Sequence, residues 1–407
     1  MKPPAAYLFG SVLPTVIVVS VVLLTAMLGL VALWEQQTLL FVRGQRLRQA
    51  RADIESAALL YRLHPDERAL TAAGGYLLYD SLSQSRIFMC REPWGLYELL
   101  HITTADSLVV SSRIVGAEPD PAQTLYYADN RAAVTLAGRT HLQGTLRLPQ
   151  NGLVYGRMGA DFYCGEEIPH TAIRRSEPTL PAYSAAAAER LGALLTMTQR
   201  LPPADDLPDS LCVSFRRDST AVVCVGSAEI AHCVLRGRIL LAAEELRIDS
   251  TCRMEHPLIA ARKIVVGAGA RITAQLFARD TVVVEQRAVL EYPSGIYAGA
   301  YAELCARAEV NGYVIVRDTV QRKKRSASYR QSRSARVRGL LHADGAAQVQ
   351  GIVAGEAVLK QAVYFSPQGY YKEMLCDFTL LKNPITAQPL WSVGADTVRR
   401  KEAVCVE

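Results

Sequence analysis

From Ser11 to Trp34 the chain reads SVLPTVIVVSVVLLTAMLGLVALW, 24 residues without a charge. As a helix this run would be about 36 Å long, enough to cross a hydrocarbon core of about 30 Å. A cleaved secretory signal has a shorter apolar core and a small-residue cleavage site after it. Here the run passes into EQQTLLFVRGQRLRQARADIESAALLYRLH, in which Leu47, Ala50, Ile54, Ala57 and Tyr61 recur at steps of three and four. That spacing predicts an amphipathic helix over 35–64 that continues the anchor, with Gly44 as the candidate interruption. The first elements expected are therefore a leader (1–10), a transmembrane helix (11–34) and its amphipathic extension.

A different period governs the second half. Written in rows of eighteen from Leu246, the chain places Leu246, Ile264 and Val282 in one column and Ile248, Val266 and Val284 two places on. Met254, Ile272 and Leu290 share a further column. Several short apolar clusters per row, separated by turn residues, suit neither a helix nor a sandwich of long strands. They predict a β-solenoid over 212–379, each coil carrying two or three short strands around a shared core. A five-residue phrase of apolar, polar, Gly, any and apolar residues recurs around Gly144, Gly237, Gly312, Gly339 and Gly351. Glycine at those points predicts a corner with a permissive backbone between two inward side chains.

Between these regions, residues 65–165 alternate short apolar stretches with an aromatic-bearing segment, REPWGLYELL. They are expected to form a small mixed α/β unit that includes the first β coils, with Trp94 as a packing anchor. Prolines cluster over 166–211, which reads as a connector containing one helix, SAAAAERLGALLTMTQ. Past Thr379 the prolines and charges suggest a cap or tail over 380–407. The fold class expected is mainly β: a parallel β-helix behind an N-terminal transmembrane helix, with a small mixed α/β region.

Composition narrows the chemistry. Of 407 residues, 50% are hydrophobic and 21% charged, with a net charge of +6, so the chain should fold and need not bind nucleic acid. Nine cysteines without a CxxC spacing give neither a zinc ribbon nor a thioredoxin-like motif, and read as buried small hydrophobes. GxSxG, Walker and HExxH motifs do not occur. Gly267 and Gly269 lack a third glycine at dinucleotide spacing and read as a coil turn. Cys252 and His256 stand four apart, but two ligands are too few for a metal site. Asp280 and Asp318 share a column two coils apart, which reads as a recurring turn, and Asp205 and Asp206 fall in the connector. No catalytic residue, cofactor or metal is expected, and an enzyme acting on envelope polysaccharide is the alternative.

One basic run stands out: RKKRSASYRQSRSARVR, Arg322 to Arg338, carries eight basic residues and no acid. These are Arg322, Lys323, Lys324, Arg325, Arg330, Arg333, Arg336 and Arg338. The run is expected to bulge as a loop from the solenoid and to touch anionic lipid headgroups, each such residue contributing about 1 kcal/mol near that surface. A single tyrosine within it, Tyr329, argues against a nucleic-acid partner.

A polar leader ending at Gly10, a long apolar segment and an amphipathic helix resemble the N-terminus of pilins and pseudopilins over about the first 60 residues. The glutamate usual five places after the leader glycine is replaced by Thr15, and Pro14 is early for the pattern. The glycine-punctuated coils over Ala221–Phe378, with a fragment at Val134–Leu148, resemble bactofilins, the polymer-forming β-helical cytoskeletal proteins. The whole layout is similar to uncharacterised membrane-anchored proteins of Bacteroidota. These resemblances imply a single-pass inner-membrane protein with a structural or assembly role, self-associating or binding protein partners through the solenoid. The pilin resemblance implies a periplasmic C-terminal part, whereas Arg43, Arg46, Arg48 and Arg51 place it in the cytoplasm by the positive-inside rule.

Overall fold

The computed structural model describes residues 12–65, 75–78, 86–120, 123–159, 161–200, 207–217, 219–318, 326–367, 369–382, 386–392 and 398–406. The leader and Asp205–Asp206 lie outside these residues.

Helix α1 runs unbroken over Val12–Leu63, 52 residues, and is long and apolar enough to cross a membrane. Gly44 does not interrupt it, and a Cβ there would meet nothing within 4 Å. Pro14 falls in the first turn, where a missing N–H costs no helical hydrogen bond. In the apolar half Thr25 bonds back to the helix, its hydroxyl shared between the Val21 and Val22 carbonyls at 3.0 and 2.9 Å. In lipid such groups need an internal partner. Val12 through Val42 are exposed throughout, whereas Ala50, Asp53, Ile54, Ala57, Ala58 and Tyr61 are buried. The amphipathic stripe thus finds its partner only in the second half.

That partner is a five-stranded antiparallel sheet, in the order Tyr76–Leu77, Arg86–Trp94, Tyr97–Thr104, Val110–Ala117 and Arg400–Val406. Ile54, Ala57 and Tyr61 pack on Ile87, Met89, Leu100, Ile102 and Val115. Polar ties add to the packing. Arg113 joins Glu55 of the helix to Glu402 of the last strand. Tyr61 Oη donates to Glu98 Oε2 at 2.8 Å, and Arg400 Nε to the same oxygen at 3.0 Å. Because Val110–Ala117 and Arg400–Val406 are neighbours, the chain between them is one long excursion from this sheet.

The excursion is mainly β, built from parallel strands in a sheet that closes on itself. Leu246, Ile264 and Val282 pair in register at intervals of eighteen, as the columns predicted, and Ala302 continues the row. Ile272, Leu290, Val310, Val337 and Val353 form a second row. All of these side chains are at most 2% exposed and belong to the core enclosed by the sheet. The eighteen-residue interval is broken once on the adjoining wall, where a bulge between Glu255 and Leu258 sets Ile259 beside Leu276. The glycines of the repeated phrase all have positive φ, from +76° at Gly351 to +143° at Gly312. The corner is also too tight for a side chain. A Cβ on Gly339 would lie 1.8 Å from the Gly312 carbonyl oxygen.

Three expectations need correction. The tiers within 123–175 are not the first of the ladder but its last. Leu125–Tyr127 pair with Ala357–Leu359, Leu142 with Leu380, and Leu136 with Leu375; Thr145–Leu148 and Ile173–Arg175 then follow. Consequently 380–407 is not a cap: Phe378–Leu381 is a ladder strand, and Arg400–Val406 belongs to the antiparallel sheet. The connector over 166–211 holds the expected helix, α2 (Ala185–Arg200), but also the ladder strands Ile173–Arg175 and Ser210–Val213.

The sheet's second face packs on the outside of the ladder. Trp94, Leu96, Tyr97, Leu99 and Ile114 meet Phe215, Leu258, Phe277, Tyr313 and Leu340, with Ala187 and Leu191 of α2 in the same cluster. Trp94 is the expected anchor, 5.2 Å edge-on to Phe215 and donating to the His256 carbonyl at 3.2 Å. Gln275 staples the hairpin to the ladder, donating to the Trp94 carbonyl and accepting from the Leu96 N–H and the Tyr313 hydroxyl.

Candidate functional site

The basic run is not one loop. Arg322, Lys323, Lys324 and Arg325 lie outside the described residues, but the rest of the run enters the ladder as Tyr329–Gln331 and Arg336–Gln348. Burial alternates there: Tyr329, Gln331, Val337 and Gly339 point inward, while Arg330, Arg336 and Arg338 point out. Outward placement brings the arginines against acids. Arg330 lies 3.8 Å from Glu303, Arg333 2.7 Å from Asp377 and Arg338 3.2 Å from Glu309. Strand alternation with paired charges, rather than a free basic loop, describes this half.

The other residues singled out do not assemble. Cys252 is buried beside Cys233, and its thiol donates to the Ile230 carbonyl at 3.1 Å. His256 is largely enclosed, and burial lowers its pKa. Among the described residues no group of three His, Cys, Asp or Glu side chains could hold a metal ion. Asp280 sits among arginines, 3.6 Å from Arg262 and 3.9 Å from Arg279. Gly269 has φ +73° at a tier corner, as the turn reading expected.

Polar groups do converge in one cleft on the outer face of the ladder, of about 680 Å³. Its floor is built by neighbouring strands, in which Leu340 pairs with Glu356 and His342 with Val358. Its walls are the segments around Ala117 and Gln388, locked by reciprocal backbone hydrogen bonds of 2.8 and 2.9 Å. Glu356 accepts from Gln123 Nε2 at 2.8 Å and from Gln388 Nε2 at 3.0 Å. Trp391 stacks on Tyr183 at 5.0 Å and meets His342 edge-on at 5.8 Å. The indole Nε1 of Trp391 is buried and has no hydrogen-bond partner among the described residues.

Burial sets the electrostatics of this floor. It pushes the Glu356 carboxyl up, against the opposing pull of the two glutamine amides. It pushes the His342 imidazole down to about 4. In the unfolded chain a histidine titrates near 6.5, so the unfolded state binds more protons between these values. The stability His342 contributes is thus complete above pH 6.5 and lost as pH falls through 4, about 3 kcal/mol in total. Glu356 acts with the opposite sign, its contribution declining as pH rises. We expect His342→Phe to flatten the fall in urea midpoint between pH 7 and pH 4, measured on the full chain in micelles. An unchanged slope would mean that His342 takes up its proton freely in the folded state.

Sequence reading missed Glu356, Gln123 and Gln388, which come from three separate segments. The one available signal was Glu356 itself, a lone acid in the otherwise apolar stretch GIVAGEAVL. Comparisons with protein-family models, curated proteins and solved structures find no match for the chain.

Proposed function

We propose that this chain is a membrane-anchored structural or assembly protein of the bacterial inner membrane, a minor component of a pilus-like or secretion-associated apparatus. Its parallel tiers are read as the coils of a β-helix displayed by the anchor. The observation that carries this reading is α1: its first half is bare and apolar, and its second half is built into an antiparallel sheet. That division matches the resemblance to pilins, and the eighteen-residue register supports the β-helix. Membrane lipid is then the partner of the first half of α1. Contact of anionic headgroups with the basic run narrows to Arg322–Arg325 and Arg336, since Arg330, Arg333 and Arg338 face acids.

Protein partners are expected at one end of the ladder. Among the described residues no strand pairs with the outer edges of Ser210–Val213, Ala221–Val225 and Ala228–Ile230. Inward residues there, Leu211, Val213 and Val223, are only partly buried. Open edges with a half-covered core favour pairing with another chain, and a membrane anchor raises the effective concentration of such chains. At the opposite end Ile168 is buried in the same core. The test uses single cysteines at Ser227 and Thr171, both exposed and at opposite ends, in a background with native cysteines replaced by alanine. Cross-linking in membranes at Ser227 and not at Thr171 is expected. Cross-linking at Thr171 alone, or at neither, would remove self-association through the first tiers.

The alternative, an envelope enzyme acting on polysaccharide, draws on one observation: polar side chains gather in a single groove on the outer face.

A further inference from the structure

We propose that the cleft over Glu356 is a binding site for an uncharged sugar unit of a glycan. The inference stands apart from the assembly reading and survives if that reading fails. Its volume of about 680 Å³ lies within the usual range for small-ligand sites.

The hydrogen-bonding inventory fits a polyol. Both glutamines give their Nε2 to the Glu356 carboxyl. Each amide oxygen is therefore directed away from Glu356 and is left to accept. His342 adds one ring donor and one ring acceptor in its neutral form. Trp391 lines the same cleft with its ring, stacked on Tyr183 at 5.0 Å. Fixed donors and acceptors beside an aromatic wall suit hydroxyl groups on a sugar ring.

Other ligand classes fit less well. A cation finds no ligand cluster: among the described residues no group of three His, Cys, Asp or Glu side chains could hold a metal ion. An anion would meet the exposed carboxylates of Glu118 and Asp120 at the rim, although Arg399 stands there too. An extended peptide would need free backbone groups. The floor strands have none to offer, because the strand from Gly351 is paired on one side to Arg336–Gln348 and on the other to Gln123–Tyr127. The walls are held open by fixed backbone bonds, including Ser184 N–H to the Trp391 carbonyl at 2.8 Å and Leu390 N–H to the Leu96 carbonyl at 2.7 Å.

The test uses the full chain in lipid nanodiscs, since sugar-headed detergents would compete. Maltotriose, cellotriose and chitotriose serve as neutral probes and trigalacturonate as the charged one, with titration calorimetry as the readout. At least one neutral probe should bind with a Kd of about 1 mM or tighter and about tenfold better than trigalacturonate. Gln123→Ala and Gln388→Ala should each weaken it about tenfold. Ala182→Trp, at an exposed position on the cleft wall, should abolish binding by filling the mouth. Absence of binding by every neutral probe at about 10 mM would overturn the proposal. So would preferential binding of trigalacturonate, or binding untouched by both Ala182→Trp and the glutamine substitutions.

Discussion

Arg400→Ala should destabilise the full chain by about 3–5 kcal/mol, seen as a lower urea midpoint in micelles. Arg400 is almost wholly buried, and its Nε lies 3.0 Å from Glu98 Oε2, itself buried. Removing the guanidinium leaves that carboxylate in the sheet interior with the Tyr61 hydroxyl as its remaining described donor. An unpaired buried charge costs more than the pair ever contributed, because the pair had already offset its own desolvation. The double variant Arg400→Leu with Glu98→Leu should therefore recover most of the loss. The three groups come from the last strand, the middle of the sheet and helix α1. Breaking them loosens the last strand and the seat of helix α1 at once. A loss below about 1 kcal/mol for Arg400→Ala would place the triad among weak surface pairs.

What could be read in the sequence depended on how local the physical signal was. Both halves of helix α1 were legible because each signal is written within one helix: a charge-free run, then apolar residues at helical steps. The glycine phrase was legible because positive φ is a local demand, met at all of its five glycines. The order of the tiers was not legible. Leu125 pairs with Ala357 and Leu136 with Leu375, and an inward apolar triplet of this kind fits against almost any other tier. Nor does a small polar residue such as Ser294 reveal its place: it is fully buried, and its hydroxyl accepts from the Ala274 N–H at 3.1 Å. The density of the basic run concealed the inward positions of Tyr329 and Gln331, which make it a strand. The cleft was legible only at Glu356, a lone acid in an apolar stretch, since Gln123 and Gln388 look like ordinary solvated polar residues until the fold brings them to it.

Aspartate at Ile264 or Val282 should abolish folding of the ladder, while aspartate at Val265 should be tolerated. Ile264 and Val282 are paired across adjacent strands and are 0% exposed. A carboxylate there has no cation to meet within the apolar core, and its penalty of several kcal/mol is comparable with the whole stability of a domain, about 5–15 kcal/mol. Val265 lies between Ile264 and Val266 on the same strand but points outward and is half-buried, so a charge there keeps its water. Ile264→Val removes one methylene and should cost about 1 kcal/mol, which separates loss of packing from burial of charge. The measurement is the yield of monodisperse full chain in micelles together with its β-type circular dichroism. Because each tier is stabilised by the tiers on either side, the defect should spread beyond the substituted strand, with loss of most of the β signal. Equal yields for Ile264→Asp and Val265→Asp would mean that the alternation of inward and outward side chains is misassigned, and the eighteen-residue register with it.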